Sequence, residues 1–382
     1  MSVYPPADTL AIKAGNVDMT GNANVSSNLT VSGNVGIGVA SPGAELHVAG
    51  TGAIIVPSGT TVQRPTTGVL GMIRYNTEDT ALEMYSGTAW TTVDAPPPLY
   101  DFTSHTFTSA GVVGRLGPTL TQLQDPSTGY GTSGTTEWVG NPNYFSVSGG
   151  IQKWTVPIGG TYEFVLGGSR GGERGGSVAY PDGLGASVSG RITLTKNDVI
   201  KILVGQIPDP FIASSGPAGG GGTFVTTDAN VALFVAGGAG GDVTTTTNNY
   251  GTASNRGANF VATGRTASNG AGPGGSFSAD DSANGVKAGK SFMNGGLGGD
   301  GDVDGGFGGG GGSNNANSYP AGGGGYSGGD EITEAGGVFT STTIGGGGSY
   351  VISTATSTET LTGGNSPAWA GNRGYVKITK IP

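Results

Sequence analysis

The chain of 382 residues contains no cysteine. Disulfide staples and thiolate metal sites are therefore excluded, and such a chain can be made in a reducing cell and still serve outside it. Histidine is almost as scarce. Only His47 and His105 occur, which removes zinc sites of the usual kind. Charged residues make up 11%, against about 25% in ordinary globular domains. Disordered chains are usually highly charged, so simple disorder fits badly. The formal charge is −9, with no basic block. A nucleic acid, whose phosphates need clustered Lys and Arg, is not an expected partner. No apolar run approaches the ~18 residues of a membrane helix, and no leader with a positive, an apolar and a small-residue region opens the chain.

Glycine is what the chain has in excess. It fills 79 positions, about three times the usual share. The glycines crowd between Gly167 and Gly348 and are densest in GGLGGDGDVDGGFGGGGGS, from Gly295 to Ser313. Glycine loses the most backbone entropy on ordering and brings no side chain to bury. A chain so rich in it either stays disordered or is held where only a backbone without Cβ atoms fits. The second option is favoured, because single large residues (Phe224, Phe292, Phe307, Tyr326, Tyr350) interrupt the runs. Strand-like segments also stand among them, such as TYEFVL from Thr161 and VALFVAG from Val231, with GYVKITKI as a closing strand. The expectation is a bundle of extended, polyproline-II-like glycine helices framed by a β-fold. Collagen is excluded, because its strict Gly-X-Y period is missing.

Five segments follow from composition and spacing. Residues 1–14, with Pro5-Pro6, read as an attachment arm. Residues 15–50 carry a repeat of six. The apolar pairs Val17/Met19, Ala23/Val25, Leu29/Val31 and Val35/Ile37 recur at that period, each preceded by Gly15, Gly21, Ser27 or Gly33. Placement at i and i+2 puts both apolar side chains on one face of a short strand. So short a unit buries too little alone, and stacking or chain association must complete it. A single-chain β-helix and three intertwined chains both fit. The small number of repeats favours three chains, making these eight residues the core of a homotrimeric shaft. Residues 51–94 form a small β connector of short strands and polar turns. Residues 95–99, APPPL, are a stiff proline linker and the best domain boundary. Residues 100–382 are the glycine-rich domain.

The stretch from Gly36 to Val93 opens with GIG-x-x-x-P-x-x-x-L-H-V, continues through Gln63-Arg64-Pro65, and ends in GMIRYNT and LE-x-Y-x-G-x-x-W. Together these features resemble a recurring module of bacteriophage tail fibres, over roughly the first quarter of the chain. The resemblance implies a trimeric shaft or connector in the virion. A tail or baseplate protein would hold the N-terminus, and a host surface protein or polysaccharide would meet the C-terminal end.

A second resemblance begins at Tyr100 and runs to the C-terminus. It is carried, in order, by YDFTSHTFTSAGVVGRLGPTLTQLQ, IQKWTVPIGGTYEFVLGGSRGG, RITLTKNDVIKILVGQ, AGGGGTFV, ALFVAGGAGG, FGGGGGSNN, AGGGGYSGG and GYVKITKI. This series is similar to the glycine-rich extracellular domain of the anaplastic lymphoma kinase and leukocyte tyrosine kinase receptors. The resemblance implies a jelly-roll β-sandwich of the tumour-necrosis-factor type with inserted polyglycine helices. The receptor domain carries cysteines and this chain has none, so only the fold is carried over, without cytokine binding or signalling. The residues read alone agree. Trp154 and Val156, then Tyr162, Phe164 and Leu166, then Ile192 and Leu194, then Ile200, Ile202 and Val204 alternate as core positions, with a turn at Lys196-Asn197-Asp198.

Constellations for chemistry are few, and no enzyme activity is expected. The pattern G-x-S-x-G occurs around Ser169 and Ser327, but neither serine opens a helix and both histidines come earlier in the chain. Asp79 with Glu83, and Glu331 with Glu334, are carboxylate pairs that nothing else marks as glycosidic. GVKAGKS, from Gly285, misses the first glycine of a phosphate loop by one place. Asp300, Asp302 and Asp304, followed by Gly305, resemble the start of a calcium loop, although Gly311 stands where the bidentate Glu belongs. They are the candidate Ca2+ or Mg2+ ligands. Candidate receptor contacts are Tyr250, Phe260, Phe277, Tyr319 and Trp369, aromatic residues between glycine runs or in Asn/Ser/Thr-rich surroundings. Phe307 and Tyr326 are read instead as wedges between the glycine segments and the sheets.

The expected protein is all-β. A short trimeric β-repeat shaft leads to a jelly-roll sandwich with a polyglycine bundle, in a phage tail fibre that is made in the host cytoplasm and binds a bacterial receptor non-covalently. A purely structural fibre, collar or decoration protein is the alternative class, and a polysaccharide depolymerase is the third.

Overall fold

A computed structural model of the chain describes residues 28, 30–93, 98–172, 183–210, 216–241, 271–280, 285–314, 320–329, 334–335, 338–339, 345–361 and 373–382. Of the residues singled out above, Gly15, Val17, Met19, Gly21, Ala23, Val25, Ser27, Leu29, Tyr250, Phe260, Tyr319, Glu331 and Trp369 lie outside the described residues, as does the arm 1–14. Regular structure is almost entirely β. The chain divides into two compact units, Met1–Ala95 and Pro96–Pro382.

In the first unit Val35–Ile37 pairs in parallel with Leu46–Val48. A four-stranded sheet follows in the order Ser58–Gly59, Ile73–Asn76, Ala81–Tyr85, Trp90–Thr92. Its buried face is polar. Arg74 stands opposite Glu83 in the register, and its Nη1 donates to Glu83 Oε1 at 2.9 Å. Arg64 closes over the same carboxylate, with Nη2 at 2.6 Å from Glu83 Oε2. Asn76 donates to Asp79 at 2.7 Å and to Thr61 at 3.1 Å. The hydrogen bond from Arg64, then that from Asn76 and the charges of Arg64 and Arg74, hold the Glu83 carboxyl below its ordinary pKa against the opposing effect of burial. Glu83 is 1% exposed and Arg74 5%, so the ion cluster survives only because its hydrogen bonds are made. The QRP, MIRYN and LE-x-Y segments thus meet in one place. Arg74 also lies over the Trp90 ring, 6.0 Å from its centroid.

The second unit is built on two antiparallel sheets. One has the order Thr356–Leu361, Ser187–Leu194, Gly160–Gly167, Tyr375–Lys380, Ser104–Phe107. The other runs Tyr350–Val351, Ala232–Ala236, Thr223–Thr227, Val199–Leu203, Ile151–Thr155, Phe145–Ser148. They enclose one apolar core. Phe164 of the first sheet stacks on Phe234 of the second with ring centroids 5.2 Å apart. Trp154, Val156, Tyr162, Phe164, Leu166, Ile192, Leu194, Ile200, Ile202 and Val204 are all buried, because a period of two places them on inward faces. Asn197 has a φ of 74° in the turn between strands.

Glycine segments leave the ends of these strands and pack together. Residues 216–222 illustrate the rule. Gly219 donates to Gly311 O at 2.9 Å, Gly220 to Ala239 O at 2.8 Å, Gly221 to Gln206 O at 3.0 Å and Gly222 to Gly308 O at 2.9 Å. The same stretch accepts from Ser169, Gly172, Gly306 and Gly324. A sheet strand bonds at most two neighbours, one on each edge. This segment bonds more, in several directions, and so belongs to a three-dimensional backbone lattice. A Cβ on Gly219 or Gly221 would lie well inside 3.0 Å of the Gly322 or Phe307 carbonyl oxygen, so the spacing is available to glycine alone. A second apolar cluster fixes the lattice to the six-stranded sheet, with Leu203, Phe224 and Val235 from the strands and Phe292 and Phe307 from the glycine runs. Phe307 is fully buried, in the wedge position read from sequence.

Candidate functional site

Within the lattice the flanks of four separate segments come together. Segments 173–182, 211–215, 242–270 and 315–319 lie outside the described residues, but the positions that bracket them do not. Gly171 donates to Gly183 O at 3.1 Å and Gly172 to Ala218 O at 2.8 Å. Gly241 donates to Ala321 O at 2.9 Å, and Ala321 in turn to Pro217 O at 3.0 Å. The Ser313 hydroxyl donates to the Gly216 carbonyl. Ala271 forms a bridge with Ser313 and packs on Ala321 in a small buried cluster. Each flank is held by backbone bonds to another flank, with almost no side chain involved. The arrangement brings the residues that bracket the four segments together on one hydrogen-bonded base.

A second feature is an aromatic depression of about 660 Å³ lined by Leu99, Tyr100, Asp101, Gly134, Thr135, Glu137, Trp138, Asn141 and Tyr144. Trp138, on the turn-rich run Gly134–Gly140, is held by its indole N–H donating to Thr135 O at 3.1 Å and by Phe102, His105, Phe107 and Phe145 around it. Tyr100 stacks on it at 5.5 Å and meets Tyr144 at 4.9 Å. The Tyr100 hydroxyl donates to the Thr155 carbonyl, and burial lifts its pKa well above the usual phenol value. Two exposed carboxylates, Asp101 and Glu137, stand at the rim, and no Lys or Arg lines the depression. Such a surface favours neutral or cationic groups over anions. Its residues come from separate stretches with no shared motif, so sequence reasoning missed it. The clustering of Tyr100, Trp138 and Tyr144 outside any glycine run was the one available signal.

The remaining candidates fall elsewhere. Phe277 is half-buried in a row of rings. It stacks on Phe292 at 5.3 Å and on Tyr326 at 5.6 Å, and Tyr326 stacks on Tyr350 at 4.4 Å. Asp300 accepts from Arg115 Nη1 at 2.9 Å, and Arg115 Nε lies 4.0 Å from Asp304. Asp304 also accepts from the Gly301 N–H at 3.0 Å. Burial, then the nearby Asp304 charge, raise the pKa of Asp209. Among the described residues no three His, Asp or Glu side chains gather as a metal-holding group. Ser169 is buried and donates to Gln206 O at 2.6 Å, a lattice bond. In the repeat of six, Val31 and Ile37 are exposed and Val35 is half-buried.

No family model matches the chain.

Proposed function

We propose that the chain is the receptor-binding protein of a bacteriophage tail fibre, a homotrimer that adheres non-covalently to a bacterial surface. In this reading the N-terminal residues attach to a tail or baseplate protein. The repeat of residues 15–50 forms an intertwined shaft. The second unit is the distal tip, a jelly-roll sandwich whose glycine lattice is a bundle of polyglycine-II helices. The observation that carries the reading is the gathering of the flanks of four segments within that lattice. One of those segments holds the polar, aromatic-bearing sequence that runs from Thr244, another falls within SNNANSYP, and Tyr250, Phe260 and Tyr319 are three of the proposed contacts. Phe277 and Trp369 are the other two. A scaffold held by backbone bonds tolerates variation in the connections it emits, which suits a surface that must follow a changing receptor.

The test uses the full chain carrying a fluorescent label, incubated with host bacteria and with mutants lacking single surface receptors. The expected result is saturable binding that disappears on one class of mutant. Tyr250→Ala with Tyr319→Ala should weaken it at least tenfold, as loss of aromatic anchors does. Absence of binding to every strain moves the chain to the purely structural class.

A further inference from the structure

The aromatic depression of the second unit carries two carboxylates without partners. Asp101 and Glu137 are exposed at its rim. Among the described residues, neither forms an ion pair or a hydrogen bond through its side chain. Each adjoins a ring of the floor in the chain, Asp101 beside Tyr100 and Glu137 beside Trp138. Tyr100 stacks on Trp138 with the ring planes 16° apart, so the stack brings both carboxylates to one rim. No Lys, Arg or His lines the depression. Its walls are fixed before any ligand arrives. Leu99 donates to Pro157 O, Tyr144 to Asn141 O and Thr155 to Tyr144 O, each at 2.9 Å. The Trp138 indole and the Tyr100 hydroxyl are held by backbone carbonyls in the same way. A site so preorganised gives up little freedom on binding.

We propose that this depression binds a small organic cation, of the quaternary ammonium class that choline represents. Charge complementarity selects the occupant. A neutral ligand would cover the carboxylates and leave them uncompensated, which is costly. An anion would meet two like charges, whereas a cation neutralises both. The aromatic floor decides which cation. A hard metal ion takes about six to eight oxygen ligands, and here two carboxylates from separate stretches share the site with rings. An alkylammonium is instead attracted by ring faces, within ~6 Å of the centroid. Tyr100 and Tyr144 meet at 41° with centroids 4.9 Å apart. Such a corner fits a rounded head group better than a planar guanidinium. The volume of about 660 Å³ lies within the ~300–1,000 Å³ usual for small-molecule sites. None of the proposed receptor contacts lines the depression, so this site goes beyond the adhesive reading and does not depend on it.

Calorimetric titration of the full chain with choline chloride tests the site, with dimethylbutanol, the uncharged carbon isostere, as the reference. Sodium chloride at matched ionic strength corrects for the effect of salt. The expected result is saturable choline binding, at least tenfold tighter than that of the isostere. Asp101→Asn combined with Glu137→Gln should weaken choline binding at least tenfold. The thermal midpoint should stay in place, because both side chains are exposed and unpartnered. If that variant fails to fold, Thr135→Lys sets a positive charge on the same rim and should weaken binding likewise. Absence of saturable heat with choline overturns the inference. So does equal affinity for the isostere, or choline binding that the charge variants leave untouched. The cell-binding assay uses neither choline nor these variants, so failure of one proposal leaves the other readable.

Discussion

His105 sits on the edge strand Ser104–Phe107 with its ring edge-on to Phe107, Tyr130 and Trp138, at centroid distances of 4.7, 4.5 and 5.0 Å. Its Nε2 is buried without a hydrogen-bond partner. Burial alone pulls its pKa down to about 4. The consequence for stability has a definite sign. An unfolded chain takes up a proton near the ordinary value of ~6.5, while the folded one stays neutral until about pH 4. Folding is thus unaffected above that ordinary value and loses stability as the pH falls through this window, by up to about 3 kcal/mol. Urea midpoints of the wild type should fall across the window, and those of His105→Phe should fall less. Unchanged slopes in the variant would show that other groups set the acid sensitivity. Nothing in the sequence around His105 gives a means of reading its burial. Tyr130 and Trp138 reach it from loops whose folding depends on the whole sandwich.

At the scale of elements, the sheets were legible and the lattice was legible only as a composition. Trp154 to Val204 alternate with a period of two, and that pattern alone assigns an inward face. Glycine has no face, so nothing in AGGGG or FGGGGGS tells which carbonyl each N–H will meet. The convergence at Gly241, Ala271, Ser313 and Ala321 could not be read for that reason. The ion cluster was missed differently. Arg64, Arg74 and Glu83 all lie in motifs noticed in the sequence, but only the register that opposes Arg74 and Glu83 makes them one site. The lattice makes its own prediction. Gly219→Ala forces a methyl against the Gly322 carbonyl, with further backbone close by. It should destabilise the second unit by about 3 kcal/mol, at the upper end of overpacking costs. Gly33→Ala meets nothing within 4 Å and should leave stability within about 0.5 kcal/mol. Thermal unfolding of both variants makes the comparison, and equal effects would mean that the lattice yields to a side chain.

For the whole molecule, the two units depart from ordinary globular construction in opposite ways. Among its described residues, the first has exposed apolar side chains and no buried ones. The second has, beside a normal core, an interior made of peptide groups. That interior bears on temperature. Unfolding ordinary domains raises the heat capacity by ~12–15 cal/mol/K per residue, because newly wetted apolar surface outweighs newly wetted polar surface, which acts in the opposite sense. Opening the glycine lattice wets mostly amides. Scanning calorimetry of the full chain should therefore give an increment per residue below that range, and a value inside it would contradict the account. A small increment flattens the curve of stability against temperature. A protein built on such a lattice would hold nearly the same margin against unfolding in the cold as in the warm.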